Sequence, residues 1–377
     1  MLSTPSNYQL QIIYTKIDRS KDQTPHFTNY YFNVDSTHYF YPASTVKLPV
    51  SILALEKIHK LNIIGLSGET IMITDSAYAC QASVRKDLTS ENKLPSINNY
   101  IKRMFLISDN YAFARVHEFV GCDYLHETLE KWGYPNMRIV TKLDPSCSLD
   151  NSKVSNPIYF LDAQLRDTIY KQPLLFNKYN KPSPATNLAL GRAYYNEKNK
   201  LVNGPMDFSA LNFICLPDLH QILRNLVFNS FTKSYSISDD DWKLMMAHLG
   251  MYPRESQFPL YDSKIFYDSY KKYLMYGNAV ANIRQDSLRI FNIVGRAYGF
   301  LIDCAYIVDF KNNVEFMVSS SMYLNEKNIV GSGDYQYNLL GMPFLKWLGE
   351  RLYTYEKGRS KNTKPNLDRF KLFDQHN

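Results

Sequence analysis

Apolar and polar positions alternate with two different periods along the chain. Segments 8–15 and 28–34 alternate in twos and predict strands. The polar stretch YFYPA then gives way to LPVSILALEKIHKL, whose apolar residues recur at helical spacing. Helical spacing returns in SINNYIKRMFLISDN, YLHETLEKWG and LPDLHQILRNLVF, while strand-like runs reappear over 288–322 before a closing helix at 336–355. This order predicts an α/β (α+β) chain: an antiparallel sheet built from both chain ends and flanked by helices, with a mainly helical lobe inserted between them. Residues 1–61 and 255–355 are expected in the sheet lobe, 62–254 in the helical lobe and 356–377 in a basic tail. The stretch 160–207, rich in Pro, Asn and Lys, is expected to be a loop-rich insertion, either shaping a cleft or decorating the surface. Pro49 is expected to loosen or kink the second turn of the first long helix.

Composition narrows the function classes. With 377 residues, 45% of them hydrophobic, the chain can bury one large core or two lobes. The formal charge of +7 is spread out, the basic C-terminal tail reads as solvated, and no nucleic-acid motif occurs, so no nucleic-acid partner is expected. Five scattered cysteines without C-x-x-C spacing and eight histidines without H-E-x-x-H imply no metal, no cofactor and no disulfide scaffold. Most of the 30 tyrosines are explained by ordinary packing. The first residues lack the basic start and apolar core of a signal peptide, and no apolar run approaches the ~20 residues of a membrane span, so no transmembrane segment is expected.

Candidate chemistry starts at Ser44-Thr45-Val46-Lys47, where the polar stretch meets the helix. The same S-x-x-K spacing recurs at Ser83–Lys86, Ser90–Lys93, Ser230–Lys233 and Ser269–Lys272, so spacing alone is weak. Context singles out the first: positions i and i+3 of a helix share a face, and a lysine amine can then serve as base for a serine hydroxyl. Taken alone, the same residues also read as a helix cap with a solvated lysine. Ser108-Asp109-Asn110 is unique in the chain and lies among helically spaced apolar residues. Its hydroxyl can relay a proton and its amide can orient a lysine and a substrate carbonyl, although a helix start is the plainer reading.

In this order the two motifs resemble those of class A serine β-lactamases and their penicillin-binding-protein relatives, whose signature is S-x-x-K, S-D-N and K-T-G. FNVDSTHYFYPASTVKLPVSILALEK resembles the strand, turn and nucleophile helix of that family, and FLIDCAYIVDFKNNVEFMVSSSMYLN its last sheet strands. The resemblance implies a β-lactamase/transpeptidase-like fold and an acyl-Ser44 intermediate, with Lys47 as base, Ser108 as relay and Asn110 as orienting amide. It further implies a small-molecule or cell-wall peptide substrate and a periplasmic or secreted location.

Two departures qualify that expectation. The strand aligned with K-T-G reads RIFNIVGRAYG, so Ile293, Val294 and Gly295 occupy the motif positions and both the lysine and the hydroxyl are missing. The resemblance leaves the N–H groups of Ser44 and Arg296 as oxyanion donors. Arg296 is the first candidate for the missing charge, ahead of Arg289 and Arg284, but its side chain should alternate to the strand face opposite Gly295. The stretch VTKLDPSCSLDNSKVSNP, which should supply a water-activating glutamate, contains none; Cys147 falls near that position, with Asp144, Asp150 and Asn151 nearby. Asp150 and Asn151 are candidate water-positioning residues. Two functions follow: a serine acyl enzyme acting on β-lactams, peptides or esters, and a catalytically impaired binding protein that turns over slowly or not at all.

Overall fold

A computed structural model describes residues 1–77, 82–144, 149–280, 283 and 287–373, with only the backbone described at Leu149 and Asp150. The chain divides into two compact units: residues 1–45, 183–232 and 267–377, and residues 46–182 with 233–266.

The first unit is organised on a five-stranded antiparallel sheet. Strands β1 (Gln11–Arg19) and β2 (Pro25–Phe32) come from the N-terminal end, and Leu288–Ala297, Phe300–Asp309 and Val314–Tyr323 from the C-terminal half. Their order is Leu288–Ala297, Phe300–Asp309, Val314–Tyr323, β1, β2, so the sheet is built from both chain ends as expected. The N-terminal strands lie a few residues from their predicted limits. The C-terminal run resolves into three strands because tight connections at 298–299 and 310–313 reverse the chain.

Alternation decides what each sheet face carries. Ile12, Ile290, Val294, Leu301, Ala305, Ile307, Phe316 and Val318 form one core with Leu345 and Leu348 of the C-terminal helix Met342–Gly358. The other face packs on the helix Leu216–Val227. There His220 is hydrogen-bonded through Nε2 to Thr15 Oγ1 and through Nδ1 to Ser319 Oγ, both at 2.7 Å. Burial pushes the His220 imidazole down to about 3, so it is neutral in the fold and takes up a proton near its ordinary ~6.5 only when the chain unfolds. Stability from this group is therefore full above about pH 6.5 and drains away as pH falls towards 3. In His220→Gln, the fall in unfolding free energy across this acid range is expected to flatten by one proton's worth, as read from urea denaturation at a series of pH values.

The basic C-terminal segment is not a solvated tail. Phe370 is buried against Phe291 and Tyr306, and Arg359 donates through Nε to Glu356 at 2.9 Å. Spaced aromatic residues in an otherwise polar stretch give it an anchor that its charge concealed.

The second unit is mainly helical. It holds α1 (Lys47–Leu61), α2 (Ile97–Ile107) and α3 (Asn110–Val120), with a three-stranded sheet of Ile71–Thr74, Ile158–Leu161 and Thr168–Gln172. Pro49 causes no kink: α1 begins at Lys47, which puts the proline in the first turn, where its missing N–H has no carbonyl to lose. Residues 160–207 carry several short strands, Thr168–Gln172 in this unit and Ala193–Tyr195 and Leu201–Asn203 in the first. Among the described residues, no helix is long and apolar enough to cross a membrane.

Candidate active site

In the second unit, three helices bring one lysine to one corner. Lys47 opens α1 with its side chain fully buried, beside the chain reversal between α2 and α3. Its Nζ donates to the Ser108 carbonyl oxygen at 2.8 Å and to Asn110 Oδ1 at 2.6 Å, and lies 3.0 Å from Ser108 Oγ. Two of these partners are obligate acceptors. A neutral amine, with two N–H bonds and a lone pair, can satisfy both and turn the lone pair to the Ser108 hydroxyl.

The corner is built by opposing caps. Ser108 ends α2 in the left-handed region at φ 61°, its N–H closing on the Met104 carbonyl oxygen at 3.1 Å. Asp109 then begins α3 as its N-cap, accepting from the Ala112 N–H at 3.1 Å. Asp109 supplies the helix start that the plain reading expects, and the residues on either side of it face the lysine.

Ser44 lies in the first unit, in the 3-10 turn Ala43–Val46 that leads directly into α1. It is half-buried between fully buried neighbours. Ala43, just before it, adopts φ 48°, a conformation that costs a residue with a Cβ on the order of 1 kcal/mol. Sequence offered no sign of this strained residue. Ala43→Gly is expected to raise unfolding free energy by about 0.5–1 kcal/mol in urea denaturation, because glycine adopts the turn without that strain.

Gly295 meets this turn from the edge strand. A Cβ built on Gly295 would sit 2.5 Å from the Pro42 carbonyl oxygen and 3.1 Å from Thr45 Cγ2, so the strand approaches the backbone flanking Ser44 more closely than any side chain allows. The absence of a side chain at Gly295 is therefore required by the packing of the chain's own backbone against this strand. Ile293 and Val294 are buried core residues, Val294 within the cluster under the C-terminal helix.

Arg296 is exposed and projects to the sheet face opposite Gly295, its guanidinium 5.7 Å from the centre of the Tyr337 ring. Arg289 is buried with its guanidinium 4.2 Å from the centre of the Phe373 ring, while Arg284 lies outside the described residues.

The segment without glutamate is described only in part. Cys147 falls outside the described residues, Asp150 is described by its backbone alone, and Asn151 is half-buried in the helical turn Leu149–Ser152. Lys142, from the same segment, is buried and donates to Glu118 Oε1 of α3 at 2.8 Å, with Asn156 Nδ2 at 3.3 Å from the same oxygen. The described cysteines Cys122, Cys215 and Cys304 are buried and unpaired by disulfides; Cys80 lies outside the described residues. No cluster of His, Cys, Asp and Glu suited to a metal occurs among the described residues.

The fold is mixed, with an antiparallel sheet from both chain ends, and the S-x-x-K and S-D-N motifs lie at the start of α1 and at the reversal between α2 and α3. Residues 11–169, which contain both motifs, match the model of the beta-lactamase enzyme family. No curated protein sequence matches the chain. Similar solved structures include a class A β-lactamase from Clostridium kluyveri, 11% identical over 93% of this chain and 96% of that one, TM-score 0.46. A β-lactamase from Sphaerobacter thermophilus is 12% identical over 94% and 95%, TM-score 0.47. A halotolerant bacterial β-lactamase is 12% identical over 94% and 98%, TM-score 0.48.

Proposed function

We propose that this protein is a serine hydrolase that works through an acyl-enzyme on Ser44. The observation that carries the reading is the Lys47 amine, buried and held at 2.6–3.0 Å by Ser108 and Asn110 on a helix that begins three residues after Ser44. In this mechanism Lys47 takes the Ser44 proton as Oγ bonds to an amide or ester carbonyl carbon. The oxyanion is held by the N–H groups of Ser44 and Arg296, the close approach of Gly295 to the Ser44 turn giving that strand the necessary reach. When the carbonyl re-forms and the bond to the leaving group breaks, Lys47 returns the proton through the Ser108 hydroxyl to the departing atom. Asn110 orients both Lys47 and the substrate carbonyl. Water then releases the acyl group, with Asp150 and Asn151 as the candidate positioning residues.

Candidate substrates are β-lactams, cell-wall peptides and small esters, met in the periplasm or outside the cell. A second reading, an acyl-trapping binding protein with slow or no turnover, is favoured by two features: Ile293 and Val294 stand where K-T-G would supply a cation and a hydroxyl, and VTKLDPSCSLDNSKVSNP has no glutamate.

Intact-mass measurement after incubation with a penicillin and with an activated ester tests both readings. The expected result is an adduct on the parent and none on Ser44→Ala. An adduct that persists for hours selects the binding protein, whereas one that decays with release of product selects the hydrolase. No adduct and no turnover with either reagent would remove Ser44 as nucleophile.

A further inference from the structure

We infer that Arg103 is a positioning residue for the Ser108-Asp109-Asn110 corner, acting through Asp109 to fix the acceptors that hold the Lys47 amine. The inference rests on the acyl-enzyme reading for its kinetic consequence and on geometry alone for its structural one. Nothing in the motif pattern points to this arginine.

Arg103 sits on α2, one turn before Ser108. Its Nε donates to Asp109 Oδ2 at 2.8 Å, its Nη2 donates to the same oxygen, and its Nη1 donates to Asp87 Oδ2 at 3.0 Å. One guanidinium thus bridges two carboxylates. All three side chains are at most 15% exposed, so water screens the contacts little.

Both carboxylates are tied on their far sides. Asp87 Oδ1 accepts from the Thr89 N–H at 3.0 Å, and Asp87 Oδ2 also accepts from Asn99 Nδ2 at 2.9 Å, which locks that loop to the start of α2. Asp109 Oδ1 caps α3. Asp109 is therefore held from α2 through one oxygen and from α3 through the other, while its two chain neighbours supply three contacts of Lys47 Nζ, at the Ser108 carbonyl oxygen, Ser108 Oγ and Asn110 Oδ1. A planar, permanently charged fork is suited to this, since it fixes direction as well as distance.

A purely structural clamp would change stability and leave the chemistry of the folded molecules alone. A positioning residue changes the rate, because a displacement on the order of 1 Å at a reacting group costs up to ~100-fold. The test compares the parent with Arg103→Met and Arg103→Lys in the rate of Ser44 acylation by an activated ester, at concentrations that separate affinity from maximal rate. Circular dichroism and thermal unfolding establish the folded fraction.

Arg103→Met is expected to lose about tenfold or more in maximal acylation rate with affinity nearly unchanged, and Arg103→Lys, which retains one carboxylate contact, to recover part of it. A second measurement does not depend on acylation: the 15Nζ resonance of Lys47, assigned with Lys47→Arg, is expected to move in Arg103→Met. Folded Arg103→Met with the parent maximal rate and an unmoved Lys47 resonance overturns the inference. If the parent is not acylated at all, the acyl-enzyme reading fails, and the resonance alone decides whether Arg103 positions the corner.

Discussion

Lys47→Met is expected to lower the rate of Ser44 acylation by about a hundredfold to ten-thousandfold, the usual worth of a positioned general base. Methionine has nearly the length of lysine without its amine, so α1 keeps its packing while the Ser108 carbonyl oxygen and Asn110 Oδ1 lose their shared donor. That loss costs about 1–3 kcal/mol of stability as well, because buried acceptors without partners retain their desolvation penalty. Lys47→Arg separates base from charge: a guanidinium keeps the positive charge but does not accept the Ser44 proton. The expected result is a slow enzyme in both variants, read as adduct formation by intact mass against time. Parent-like acylation in Lys47→Arg would assign Lys47 an electrostatic role and require another base.

Gly295→Val is expected to lower stability by about 1–3 kcal/mol and to slow acylation by up to ~100-fold, because the new side chain forces the edge strand away from the Ser44 turn. The first added carbon alone would stand 2.5 Å from the Pro42 carbonyl oxygen, and that neighbour is backbone rather than a flexible side-chain tip. Relief therefore needs movement of either the strand or the turn, and each carries one proposed oxyanion donor. Arg296→Ala supplies the control: its guanidinium lies by Tyr337 on the other sheet face, so truncation should leave acylation within about twofold of the parent. Urea denaturation and the same acylation assay measure both variants. Equal loss in Arg296→Ala would show that its charge contributes to substrate binding after all.

Both expectations draw on features that were unequally legible in the sequence. Ser44 and Lys47 could be singled out because a polar-to-apolar switch places them at a helix mouth, and Ser108 and Asn110 because S-D-N occurs once. Periodicity locates the long helices but not all their limits: it runs SINNYIKRMFLISDN past Ser108, where α2 ends, and it does not show whether Pro49 falls in the first or second turn. The C-terminal tail was misjudged because composition counts charge and does not show where Phe370 docks. Arg103 left no signal at all: its partners Asp87 and Asp109 lie on either side of it in sequence and become one site only when α2, its preceding loop and α3 are in place.

The sequence by itself determined the element order, the mixed class and the identity of the four residues at the proposed reaction centre, since periodicity and local motif spacing are properties of neighbouring residues. Only the tertiary structure decided the rest. It decided that the Lys47 amine meets both Ser108 and Asn110 and that Gly295 presses on the backbone beside Ser44. Each is a contact between segments separated by tens to hundreds of residues, and such contacts are fixed by how buried faces pack, which no local pattern encodes.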